Sequence, residues 1–264
     1  MREYTGGYDF TEDDDGESYS AELILGAERL IFPSEYCGKS VSSVWVNEIG
    51  PENRCDVKEA VVSSGIRSLE GELFESFLSL RSITVSDSVE YISPNCISFC
   101  DSLFDISVDS NNKCYKSIDG CLYSKDGTTF VKAAPARIGE NFEIPNGVEK
   151  IAERAFESCH KLKHIALPET LTEIERNAFM YCKSIEHICL PPGLKKIDSF
   201  AFSYCTSLAD ITFPLLLESV GYDIFCETNE NLFVNCEADE IGPRWDEGWS
   251  ESVHRVEWGV KGQP

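Results

Sequence analysis

Along residues 144–235 the apolar positions recur in fixed columns, one every 23 residues. Phe156, Phe179, Phe202 and Phe225 fill one column, and Val148, Leu171, Leu194 and Leu217 another. Ile151, Ile174, Ile197 and Val220 follow, then Leu162, Ile185 and Leu208, then Ile165, Ile188, Ile211 and Val234. Pro145, Pro168, Pro191 and Pro214 share a column of their own. Upstream the same spacing carries Val62, Val85 and Val108, with Ser63, Ser86 and Asp109 in the proline slot. Self-similarity at one fixed period predicts a stacked repeat, because a unit this short cannot bury its apolar columns alone.

Within a unit the period changes, and the change predicts the elements. Ile165-Ala166-Leu167 alternates in and out as a short strand, whereas Ile151, Ala155, Phe156 and Cys159 recur at helical spacing. A weaker extended piece is predicted from Val148 to Ile151 and at its equivalents. Proline after the strand, as at Pro168, cannot donate to a ladder and so ends it. Between Val108 and Ile144 lie 36 residues rather than 23, so one unit carries 13 extra. Its Asp119-Gly120 and Asp126-Gly127 pairs predict tight turns, and residues 113–133 read as a protruding β-hairpin. The expected fold is therefore an α/β repeat, a right-handed solenoid of short strands and short helices with an inserted hairpin and terminal caps. The boundaries are 1–60 for an N-terminal cap and degenerate first repeat, 61–108 for repeats, 109–143 for the repeat with the insertion, 144–235 for further repeats, and 236–264 for a C-terminal cap.

LKHIALPETLTEIERNAFMYCKS, from Leu162 to Ser184, resembles the 23-residue unit of the BspA-like leucine-rich repeat family throughout. The Asn111 to Pro135 passage resembles that family's hairpin insertion, and the region of Trp245, Trp249 and Trp258 its C-terminal ending. The resemblance implies a leucine-rich repeat solenoid of bacterial or protist origin that serves as a non-catalytic, protein-binding, host- or matrix-directed adhesive scaffold at a cell surface. The N-terminal MREYTGGYDFTEDDDGESYS has neither the basic start nor the apolar stretch of a secretory signal. Taken as complete, the chain would be cytoplasmic; by resemblance it would be secreted or surface-displayed.

Composition narrows the partners. Against 23 basic residues stand 46 acidic ones, a formal net charge of -23, which repels nucleic acid and anionic lipid. No run reaches the length that spans a bilayer, so no membrane insertion is expected. A protein or a glycan is the expected partner, and the oligomeric state is left open. The 12 cysteines are read by their spacing: Cys159, Cys182 and Cys205 share a slot with Phe77 and Cys100, as a buried apolar position would. Cys114 and Cys121, in the hairpin, are the pair to examine for a disulfide.

The outward strand positions provide the candidate binding face: Thr84, Asp105, His164, His187, Asp210 and Thr212, with Tyr115 and Tyr123 on the hairpin. His164 and His187 are expected to stack one coil apart beside Asp210, which makes a metal site or a pH sensor the rival reading, and an assembly module the other. Exposed Trp245 and Trp249 would be binding anchors, but their place at the end of the repeat favours capping. No nucleophile elbow, phosphate-binding glycine loop or metal-ligand motif is present in the sequence, so neither a cofactor nor a catalytic residue is expected.

Overall fold

The computed structural model describes residues 8–12, 18–23, 28–36, 39–45, 57–242 and 244–260. They form two compact units, Met1–Asp126 with Ala134–Arg137, and Gly127–Ala133 with Ile138–Pro264.

In the second unit each coil contributes two strands to two parallel ladders. Thr129–Lys132, Lys150–Ile151, Glu173–Ile174, Lys196–Ile197, Ser219–Val220 and Arg244–Trp245 pair in that order. The register sets Ile151, Ile174, Ile197 and Val220 directly over one another. The other ladder is in two pieces: Asn141–Glu143 pairs with His164–Ala166, and His187–Cys189, Asp210–Phe213, Phe233–Cys236 and Arg255–Trp258 pair successively. Between the ladders, the phenylalanine column stacks face to face. Phe130 lies 4.4 Å from Phe156, Phe156 5.1 Å from Phe179, Phe179 5.4 Å from Phe202 and Phe202 5.8 Å from Phe225. Each ring is fully buried and gains about 2 kcal/mol from leaving water, so this column is the spine of the core.

In the first unit, Arg29–Phe32, Glu59–Val62, Ser82–Val85 and Asp105–Val108 form a parallel ladder. Lys39–Trp45, Ser68–Leu69 and Tyr91–Ile92 form the second, extended at one edge by the antiparallel pair Tyr8–Glu12 and Ser18–Leu23.

The expected short helices do not form: among the described residues there is none. The backbone explains why. In the second unit, two residues per coil adopt the left-handed conformation, Arg154 and Ser158, then Asn177 and Tyr181, Phe200 and Tyr204, and Asp223 and Glu227. In the first unit Ser76 and Phe99 do the same at the position equivalent to Ser158. A left-handed residue interrupts a right-handed helix. Alternate amides then donate out of the coil rather than along it: Arg154 N to Arg176 O, Phe156 N to Ala178 O, and Ser158 N to Met180 O, at 2.7–3.1 Å. The segment is a run of turns, cross-linked to the next coil.

The hairpin is a hairpin but does not protrude. Tyr115–Ile118 pairs antiparallel with Cys121–Ser124 across Asp119 and Gly120, whose φ of 47° and 70° is the two-residue turn that matches strand twist. Cys121, Leu122 and Tyr123 are buried. Cys114 and Cys121 are both free thiols. The hairpin register separates them, since Cys114 O accepts the amide of Lys125 while Cys121 sits opposite Ile118.

Candidate functional site

Of the predicted outward residues, Thr84 and Asp105 lie on the first unit's parallel strands, exposed and half-buried respectively. Tyr115 is half-buried, and its hydroxyl accepts the Ile92 amide at 3.2 Å, so it completes a strand edge in the same unit. Tyr123 is 2% exposed and belongs to the core, which removes it as a binding residue. The desolvation that holds Tyr123 also raises its phenol pKa. Trp245 and Trp249 are likewise buried, packed edge-on at 5.3 Å, each against Phe213.

In the second unit the strand face does gather chemistry. His187–Cys189, Asp210–Phe213 and Phe233–Cys236 are in register, with His187, Asp210 and Phe233 in one row and Cys189, Thr212 and Asn235 in the next. Alternation turns Ile188, Ile211 and Val234 inward, so these six side chains face out. His187 donates from Nδ1 to Asp210 Oδ2 at 2.6 Å, with both side chains about half exposed. In such a setting the pair contributes at most about 1 kcal/mol to stability. Its conspicuous effect is to fix the imidazole against the carboxylate.

Around this pair lies a hollow of about 580 Å³. Its lining includes the polar side chains of His187, Asp210, Thr212, Asn235 and Glu237 and the apolar Pro192, Pro214 and Val260. Among the described residues, the lining has two carboxylates and no lysine or arginine. Pro214 ends the Asp210–Phe213 strand on schedule, and with Pro192 it lines the hollow without a competing amide donor. The arrangement offers acceptors and a focused negative potential to a cationic group.

His164 does not join it. It is absent from the lining, although its strand, which pairs with Asn141–Glu143, packs beside His187–Cys189. Among the described residues no three histidine, cysteine, aspartate or glutamate side chains gather closely enough to hold a metal ion. The cysteine slot is a packing position: Cys159, Cys182 and Cys205 are fully buried. Here the structure adds a role the columns alone do not reveal. Cys182 and Cys205 donate to the carbonyls of Phe156 and Phe179 at 3.1 and 3.2 Å, and Cys100 does the same to Phe74 at 3.0 Å. Glu237 and Asn235 are the site residues the sequence reading omits, one lying within the stretch assigned to a terminal cap. The register supplies the missing signal for Asn235, which continues the Cys189 and Thr212 row.

Comparison with known proteins fits this architecture. A family model described as a BspA type leucine rich repeat region matches in 6 copies over residues 52–129 and 138–243. No curated protein matches the chain. Among solved structures, a leucine-rich repeat protein from Eubacterium ventriosum aligns with a TM-score of 0.53 at 17% identity, over 98% of this chain and 95% of that one. The pneumococcal vaccine antigen PcpA aligns at 16% identity and a TM-score of 0.45, over 92% and 87% of the two chains. A leucine rich cell surface protein from Faecalibacterium prausnitzii aligns at 15% identity and 0.41, over 99% and 95%.

Proposed function

The chain belongs to the BspA-type leucine-rich repeat family, and on that premise we propose that it is a non-catalytic protein-binding scaffold whose second unit seats a basic segment of its partner. The observation that carries this is the hollow around His187 and Asp210, where Asp210 and Glu237 present carboxylates beside Thr212 and Asn235 and no described lysine or arginine opposes them. A lysine or arginine entering it would meet charge-assisted acceptors, which are roughly twice as strong as neutral ones. The chain's formal charge of -23 would steer such a partner toward the surface and hold off nucleic acid. Host- or matrix-directed adhesion is the finer form of this reading.

Selection of random dodecapeptides displayed on phage against the immobilised full chain tests it. Enriched peptides should be rich in lysine and arginine, and the paired substitution Asp210→Lys with Glu237→Lys should weaken their synthetic copies by on the order of 100-fold, as expected for two charged contacts reversed. Enriched peptides without basic residues, or affinities indifferent to that pair, would remove the hollow as the binding site.

A further inference from the structure

The last full repeat departs from its neighbours at one corner. After the strand-ending proline, three coils place Asn146-Gly147, Glu169-Thr170 and Pro192-Gly193; the fourth places Leu215-Leu216. The turn itself does not require leucine. Val148, Leu171, Leu194 and Leu217 all donate their amides to the proline three residues back, at 3.0–3.3 Å, whatever lies between. Nor does the core use them, for Leu215 is 64% and Leu216 57% exposed. A second hollow, about 420 Å³, has Leu215, Leu216, Leu217 and Trp245 among its lining. Single exposed leucines are ordinary, but two adjacent ones lining a hollow mark an interaction surface.

Charge selects the occupant. Glu218 and Glu240 line the hollow against one cation, Arg244, and Glu237 accepts the amide of its lining residue Leu215. A second copy of a chain carrying a formal charge of -23, or an anionic membrane, is opposed there by the same field. The corner also continues the proposed binding hollow: Pro214 and Glu237 line the first, Leu215 and Ala238 the second, and the Leu215 amide donates to Glu237 Oε2 at 2.9 Å.

We propose that the Leu215 and Leu216 corner captures one large apolar side chain of the same basic segment, so that the partner is recognised by a hydrophobic residue set among lysines or arginines. This rests on the strand-face reading and adds the apolar half of the specificity.

Fluorescence anisotropy with the full chain and labelled nonapeptides separates the two. The probes are eight lysines around a central leucine, the same with a central glutamine, and eight glutamates around a central leucine. The first should bind on the order of 10-fold more tightly than the second, the worth of one buried leucine. Leu215→Asn with Leu216→Gly, which restores the corner of another coil, should bring that ratio near 1 and leave the glutamine peptide's affinity unchanged. An unchanged ratio in this variant overturns the apolar corner while leaving the strand-face hollow standing. Failure of both lysine peptides overturns both readings, and equal binding of the glutamate peptide overturns the charge argument. Sedimentation of the wild type as a dimer that this variant dissociates would hand the corner to a second copy and overturn the proposal.

Discussion

A buried thiol column makes a stability term that depends on pH. Cys205 lies fully buried, and loss of solvation pushes its thiol up to about 12; Cys182 is raised well above the ordinary thiol range by the same burial. In the unfolded chain a cysteine ionises near 8.5. A folded pKa above the unfolded one leaves stability intact below about 8.5 and erodes it as pH climbs toward the folded value, by about 1.4 kcal/mol per pH unit for each such thiol. The urea midpoint should therefore fall from pH 8 to pH 10, and Cys205→Ala, less stable at pH 8 for want of its packing and its bond to Phe179, should fall less over that interval. An equal fall in both proteins would detach the alkaline loss from this residue. Nothing about ionisation is visible in the repeat columns, which register only that the slot tolerates cysteine and phenylalanine.

At the level of elements, strands were legible and helices were misread, for one physical reason. Spacing of three and four between Ile151, Ala155, Phe156 and Cys159 is produced by consecutive turns as readily as by a helix. What distinguishes them is where the amides go, and Phe156 N donates to Ala178 in the next coil, a partner 22 residues away. The hairpin is intermediate: Asp119-Gly120 announces its turn, but whether Tyr123 points outward depends on neighbours that local pattern does not contain. The turn itself makes a direct test. Gly120 holds φ at 70°, and a β-carbon there would meet Asp105 Oδ1 at 2.9 Å and Phe104 O at 3.2 Å. Gly120→Ala should cost about 1–2 kcal/mol in urea unfolding from the left-handed penalty alone. Gly139, with open space around its would-be β-carbon, provides the control, and Gly139→Ala should stay within about 0.5 kcal/mol. Matching effects at the two positions would mean that the hairpin turn does not depend on glycine's left-handed conformation.

At the level of the whole molecule, composition and period speak about different things. The 23-residue period determines which residues meet across coils, and so makes the His187 and Asp210 pair readable from sequence; it is silent where the period fades, which is why Glu237 is not. Net charge is indifferent to fold but acts on every coil at once. With 46 acidic residues against 23 basic ones, carboxylates repel one another across the stacked surface, and the ion pairs that relieve this, such as Lys196 with Glu173 at 2.7 Å and Lys163 with Glu140 at 3.0 Å, are partly or largely exposed. Such pairs contribute little and are themselves screened, whereas the surplus of like charge has no partner to lose. Screening should then remove more repulsion than attraction. Raising sodium chloride from 0.05 M to 0.5 M, which contracts the screening length from roughly 14 Å to about 4 Å, should raise the urea midpoint at pH 7.5. The same salt should weaken any lysine-rich peptide bound at the strand-face hollow, so stability and affinity move in opposite directions. A midpoint that falls with salt would show that the exposed ion pairs outweigh the surplus, and would withdraw the field argument on which the choice of a basic partner depends.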